Sequence, residues 1–404
     1  MRPDSPRRRA GVAITAGAIL AILLATMAPG GDLPEPGPAP RWAITDILLN
    51  VVLFIPLGIG LGLLGVRGAA AGMAGAIVSV AIEAAQLYWI PNRDASIHDV
   101  VSNALGAALG ALVVVGWPGR ILWWRIAGPI LASLMTGFWG AGAVLVQPAR
   151  PVQDRVWWAE WEPLVRGAVR FPGRLLSLSL QGVGLPDGAI PESQALAARL
   201  ARADTVVFSA VVETGPALRG RSKVVGVFMG NPRGEYVGLW QDRRALLIYQ
   251  RLRMTGWGLR APVLRIPGAF PASGGDTVTV TVRITLARVD ATVRAGHADQ
   301  QGTLRLGSDL AWSGFLPFEY QPTRGERIWT TLLGFAAFLI VGAGLAQRAG
   351  LQVLAAGAAL VAGPLFAGSV LPSSPVFLAA ALGVPAGSLL ASRLGLIGRA
   401  SGSR

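Results

Sequence analysis

Three consecutive apolar stretches decide the fold: residues 44–65 (ITDILLNVVLFIPLGIGLGLLG), 69–90 (AAAGMAGAIVSVAIEAAQLYWI) and 97–117 (IHDVVSNALGAALGALVVVGW). Each is near the roughly 20 residues that a bilayer core requires of a helix. Each also carries polar residues. Asp46 and Asn50 lie in the first, Glu83 and Gln86 in the second, Asp99 and Asn103 in the third, and Arg93 in the connection between the last two. Spacings of i,i+4 or i,i+3 put each pair on one helix face. A carboxylate or amide inside a span is costly, so it marks a functional site or a buried structural pair.

Composition agrees with the spans. Of 404 residues 52% are hydrophobic and only 14% charged, where soluble domains carry about a quarter charged residues. Mean hydropathy is +0.51. The chain reads as an integral membrane protein with length left for a soluble domain. Having no cysteine excludes disulfides, thiolate nucleophiles and cysteine-bound metals, and His98 and His297 are too few for a histidine-rich metal site. The net charge of +14 does not mark a nucleic-acid binder, because the arginines are scattered and Lys223 is the only lysine.

Outward from the three stretches, residues 1–43 hold an apolar run, 11–28, behind Arg7-Arg8-Arg9, then a Pro- and Gly-rich linker. The run is a signal peptide or a retained first helix, and either places the linker outside the cytoplasm. Residues 44–146 hold the three stretches and a further span at 121–146. Small-residue pairs, Gly58/Gly62 and Gly106/Gly110, suit close helix contact. From 147 to 327 no run can span, and alternation takes over, most clearly in Thr277-Val-Thr-Val-Thr-Val-Arg-Ile-Thr. Residues 206–212, 224–228, 236–240, 245–250 and 291–294 read as further strands, and only 192–202 as helix. Residues 328–404 bring spans near 328–346, 351–371 and 376–394.

The expected architecture is an α-helical polytopic membrane protein of eight spans with an extracytoplasmic antiparallel β-sandwich. Arginine placement agrees. With the N-terminus inside, Arg67, Arg120, Arg348, Arg393, Arg399 and Arg404 fall on the cytoplasmic side, and short outer loops keep little beyond Arg41 and Arg93.

In that topology Asn50, Glu83 and Asn103 lie roughly 9–10 Å below the outer interface, at 1.5 Å per residue. Three polar faces at one depth should turn toward each other, with Arg93 capping them. Two readings stand side by side. In one the groups are interhelical glue, each bond contributing about 1 kcal/mol. In the other they form an outward-facing pocket for the polar head of a lipid or lipid-linked molecule. An enzymatic variant makes Glu83 or Asp99 the general base and gives Arg93 a phosphate or carboxylate to hold. His98 is a solvated helix-start residue or a proton shuttle. A transporter ranks last, since the halves show no internal symmetry.

The pattern Asp46-x3-Asn50-x3-Phe54-x-Pro56-x-Gly58, then Glu83-x2-Gln86, Arg93 and Asp99-x3-Asn103-x2-Gly106-x3-Gly110 resembles the VanZ-like membrane domain, over residues 40–146. The resemblance implies a compact multi-span domain in the cell envelope, linked to tolerance of the glycopeptide teicoplanin. Residues 155–320 resemble the concanavalin A-like lectin/glucanase sandwich of laminin G type. That implies an envelope glycan as partner, alongside a membrane lipid or lipid-linked precursor. The Glu-x-Asp-x-Glu signature of the glucanase branch is absent, which argues against retaining hydrolysis. Trp240, Trp257 and Trp312 are candidates to stack on sugars or to fill the core. Trp157, Trp158 and Trp161, close after a span, read as interface tryptophans. No cofactor is expected. Asp242, Asp276 and Asp290 are candidates for a calcium site, at spacings that are not diagnostic.

Overall fold

The computed structural model describes residues 6–27, 44–89, 96–115, 120–165, 167–216, 218–230, 234–296, 298–315, 324–346, 348–366 and 371–393. Arg93 and His297 lie outside them. The chain forms two units that part between Leu122 and Trp123.

The first unit holds α1 (Pro6–Met27), α2 (Ile44–Leu63), α3 (Gly68–Trp89) and α4 (Ile97–Val115). α2 and α4 run parallel and touch backbone to backbone. A Cβ on Gly106 would collide with the Val51 carbonyl, and one on Gly58 with the Ala107 carbonyl. Only glycine permits that approach, and the expected small-residue pairs are its source. α1 and α3 run the other way, with Ala18, Ile22, Phe54, Leu57 and Ile82 packed between helices. Val52, Met73, Ile77 and Val101 instead point outward, each 60% exposed or more. Apolar residues outside and polar ones inside suit a bundle surrounded by lipid.

The second unit begins with α5 (Arg120–Leu145) and ends with α7 (Arg324–Gly344), α8 (Ala349–Gly357), a π-helical turn (Ala358–Ala362), α9 (Gly363–Phe366) and α10 (Ser374–Arg393). Among the described residues five helices are long and apolar enough to cross a membrane: Asp46–Leu63, Gly68–Leu87, Ile97–Val114, Gly128–Leu145 and Ser374–Ser392.

Among the described residues between α5 and α7 lie twelve strands and α6 (Ser193–Arg202). The strands are β1 (Trp157–Trp161), β2 (Arg174–Leu180), β3 (Val183–Gly184), β4 (Gly188–Ala189), β5 (Val206–Glu213), β6 (Arg221–Met229), β7 (Glu235–Asp242), β8 (Ala245–Gln250), β9 (Val263–Ile266), β10 (Thr277–Ile284), β11 (Arg288–Ala295) and β12 (Ala298–Arg305). They form two six-stranded antiparallel sheets, in the orders β4-β1-β6-β7-β8-β9 and β12-β11-β10-β5-β2-β3. In β10 the period-2 pattern does what it should: Val278, Val280 and Val282 are fully buried while the intervening threonines are not. These valines share one core with Val225, Val227, Leu239 and Ile248 of the opposite sheet, which makes the pair a sandwich.

The sandwich is tied to α5 within five residues of the helix end. Pro148 bridges Leu252, the Ala149 amide donates to the Arg251 carbonyl (2.9 Å), and the Arg253 amide donates to the Gln147 carbonyl (2.9 Å). Two 3₁₀ turns, Arg253–Trp257 and Ser308–Phe315, lie at this end. A Cβ on Gly142 of α5 would sit 2.8 Å from the Ser308 carbonyl oxygen. Trp139 of α5 packs on Trp312 (5.5 Å between ring centroids) and on Phe338 of α7 (5.2 Å). Asp309 accepts from the Ser373 hydroxyl (2.6 Å), just before α10.

One expectation is corrected here. Trp157, Trp158 and Trp161 are not membrane-interface residues that trail the span; they form β1. Trp157 is fully buried and meets Tyr236 edge-on at 5.2 Å. The chain turns back into the sheet so soon after α5 that alternate residues of the tryptophan run face the sandwich core.

Candidate functional site

Contacts in the first unit bring the polar residues to one end of the bundle: the C-terminal ends of α1 and α3 and the N-terminal ends of α2 and α4. Asn50 donates from Nδ2 to Asp99 Oδ1 at 2.7 Å, joining α2 to α4. Asn103 donates from Nδ2 to the Ser79 hydroxyl at 2.8 Å, joining α4 to α3. Gln86 donates from Nε2 to the Thr26 carbonyl at 2.9 Å, joining α3 to α1. Glu83 Oε2 accepts from the Ser96 amide at 3.0 Å. Ser96 stands immediately before α4, so the carboxylate faces the positive end of that helix.

Glu83, Gln86 and Asn103 are buried, at 9%, 5% and 6% exposure. Asn50 and Asp99 are half-buried, while Asp46 and His98 are exposed. Ser102, behind Asp99, turns its hydroxyl back to the His98 carbonyl (2.8 Å). So the predicted faces do meet, and they meet mostly by bonding each other. In this cluster one acceptor is left over: among the described residues Asn103 Oδ1 is buried without a hydrogen-bond partner. Arg93, expected as the cap, lies outside the described residues.

Ser79 is the residue that sequence reasoning passed over. It lies four positions before Glu83, on the same helix face, and that spacing was the signal. A hydroxyl costs little inside a span, so it drew no notice beside the carboxylates and amides.

In the sandwich the three candidate tryptophans separate. Trp240 is 1% exposed, packed with Leu247 and Val263, and offers no face to a sugar. Trp312 is committed to the contact with Trp139. Trp257 alone is open, at 65%. It ends the 3₁₀ turn Arg253–Trp257, whose Met254 meets Gly314 at the end of the sandwich that bears α5. The three aspartates do not come together either. Asp242 pairs with Arg265 and Arg221, Asp290 with Arg288 and the Thr303 hydroxyl, and Asp276 receives the Ser273 hydroxyl.

Sequence reading also missed the use of the single lysine. Lys223 Nζ lies 2.9 Å from Glu235 Oε1, with the side chains 5% and 3% exposed. It sits 4.7 Å from the centroid of Phe228 and 5.4 Å from that of Trp240. Gly238 makes the room, since a Cβ there would collide with Glu235 Oε1. Burial pushes the Glu235 pKa up; Lys223 pulls it back and Glu160 pushes it further up.

No curated protein and no solved structure matches the chain. The sandwich is present as an architecture, without a match to a lectin or laminin G family. Residues 31–122 match the family model VanZ-LLP1 (VanZ/LLP1), and they contain α2, α3, α4 and the whole polar cluster except Thr26, so this segment is a VanZ-like domain.

Proposed function

We propose that the protein is an eight-span envelope protein of a bacterial-type cytoplasmic membrane. Its VanZ-like bundle holds the polar head of a membrane lipid or lipid-linked precursor at the outer leaflet, and its extracytoplasmic sandwich binds an envelope glycan. The observation that carries this reading is the Asn103 carbonyl oxygen, buried and unpaired at the polar end of the bundle. An acceptor of this kind costs about 1–3 kcal/mol while it stays unmet, and a donor from a bound ligand would recover that cost. With Glu83 and Asp99 on the same end, it calls for a ligand rich in O–H or N–H donors. Sugar, glycerol and amino heads of envelope lipids have that chemistry.

Binding is favoured over acid–base catalysis. Both carboxylates are held by donors from their own bundle, Glu83 by the Ser96 amide and Asp99 by the Asn50 amide, which fixes an acceptor geometry. A VanZ-like domain links such binding to glycopeptide tolerance, since glycopeptides bind cell-wall precursors. The test is expression in a teicoplanin-susceptible host. Wild type should raise the inhibitory concentration, while Asn103→Leu and Glu83→Ala, at equal membrane abundance, should fall to the empty-vector value. Variants that protect as well as wild type would refute the reading.

A further inference from the structure

Where the chain leaves α5, a cavity of about 940 Å³ opens in the second unit. Its walls are residues 147–151 and 153, the end of α6 and the residues after it, Arg253, and the turn between β10 and β11. Three arginines line it, Arg150, Arg202 and Arg253, against one acidic residue, Asp204. Among the described residues no ion pair joins any of the four.

Arg253 is half-buried, and burial lowers its pKa, with the like charge of Arg150 lowering it further. The two cations thus repel each other, and among the described residues no ion pair neutralises either. The backbone fixes them there: the Arg253 amide is bonded to Gln147 and the Ala149 amide to Arg251. Arg202 sits in the last turn of α6, where a helix end favours a cation. Arginines gathered in this way without a counter-charge suit a phosphate, which arginine binds by forked, charge-assisted hydrogen bonds.

We infer that this cavity is an anion site for a phosphate ester, separate from the polar end of the VanZ-like bundle. Its volume exceeds what a bare phosphate needs and falls in the range of small-molecule sites. The candidate span ends at Leu145, and the first lining residue is Gln147. That places the mouth at the depth of lipid headgroups. Leu286, at 51% exposure, adds an apolar contact to the lining. A lipid headgroup and a soluble phosphate share the recognising chemistry, and the experiment separates them.

Full-length protein in a zwitterionic detergent is titrated calorimetrically with dihexanoyl phosphatidic acid, dihexanoyl phosphatidylcholine and inorganic pyrophosphate. Wild type is compared with Arg150→Gln, Arg253→Gln, the double variant, and Arg294→Gln on the exposed face of β11 as control. Saturable binding of phosphatidic acid, about tenfold weaker in each single variant and about a hundredfold in the double, supports the site with a lipid as ligand. The control should match wild type. The same variant dependence seen with pyrophosphate, and none with phosphatidic acid, supports the site with a soluble phosphate. Binding that the arginine variants leave unchanged, or no saturable binding of either anion, overturns it. Near-ultraviolet circular dichroism of each variant shows that a loss is not unfolding.

Discussion

The buried pair Lys223–Glu235 gives the sharpest prediction about what holds the sandwich together. Its atoms are 2.9 Å apart and its side chains 5% and 3% exposed, so neither charge has water to turn to when the other is removed. Replacing one partner, as in Lys223→Met or Glu235→Leu, should cost about 3–5 kcal/mol, because a lone buried charge remains. Replacing both should be nearly neutral or stabilising by about 1–4 kcal/mol, since two desolvated charges give way to apolar volume beside Phe228 and Trp240. For a domain of this size each single change lowers the melting midpoint by roughly 6–20 °C. Tryptophan fluorescence during thermal unfolding in detergent is the assay, with Trp240 a reporter 5.4 Å from Nζ. The sign of the pH dependence comes from burial raising the Glu235 pKa. The folded state then binds the proton more tightly than the unfolded one. The titration of this one carboxyl therefore contributes stability that is present below the ordinary carboxylate pKa and is lost as pH rises through the raised folded value. Glu235→Gln should flatten that slope. Singles that shift the midpoint by under about 2 °C, or a double as damaging as their sum, would refute a dry, coupled pair.

Two further outcomes rest on packing. Gly106→Val puts a side chain on the Val51 carbonyl, so α2 and α4 must part; the monodisperse fraction on size exclusion should collapse, while Gly17→Val, with open space around it, should behave as wild type. Of the tryptophans, only Trp257→Ala should reduce retention on cell-wall glycan without lowering the melting midpoint, whereas Trp240→Ala should cost about 3–5 kcal/mol as a core truncation.

Much of this was legible in the sequence, and the exceptions have physical causes. Helix occupies the described part of each apolar segment, because backbone bonds away from water must be satisfied within the chain, and hydropathy reports that need directly. Strands β5, β7, β8 and β10 arise from β-branched and aromatic runs, and α6 from its placement between turns. β2 escaped because its register shifts between Leu175 and Ser177, which breaks the period of two. β12 escaped because ADQQGTLR has no apolar alternation; it is an edge strand held by its backbone to β11. β1 was hidden by tryptophans that looked like a membrane belt. At the polar end the spacing of Asp46, Asn50, Glu83, Gln86, Asp99 and Asn103 told which faces would meet. It did not tell that Asn50 would spend its amide on Asp99, or Asn103 on Ser79. Those pairings depend on helix rotation, which the α2–α4 glycine contact sets. Pocket arginines 150, 202 and 253 come from distant parts of the chain, and no local pattern joins them.

The central claim, that the polar end of the VanZ-like bundle holds a ligand, is tested most directly by native mass spectrometry. Full-length protein extracted in mild detergent would be compared with Asn103→Leu and Glu83→Ala. Asn103→Leu gives up one interhelical bond worth about 1 kcal/mol and removes an orphan acceptor, so its fold should persist. The account predicts a bound species of defined mass in the wild type, absent from both variants. Identical spectra for all three, with the variants merely less stable, would make the cluster helix glue and contradict it.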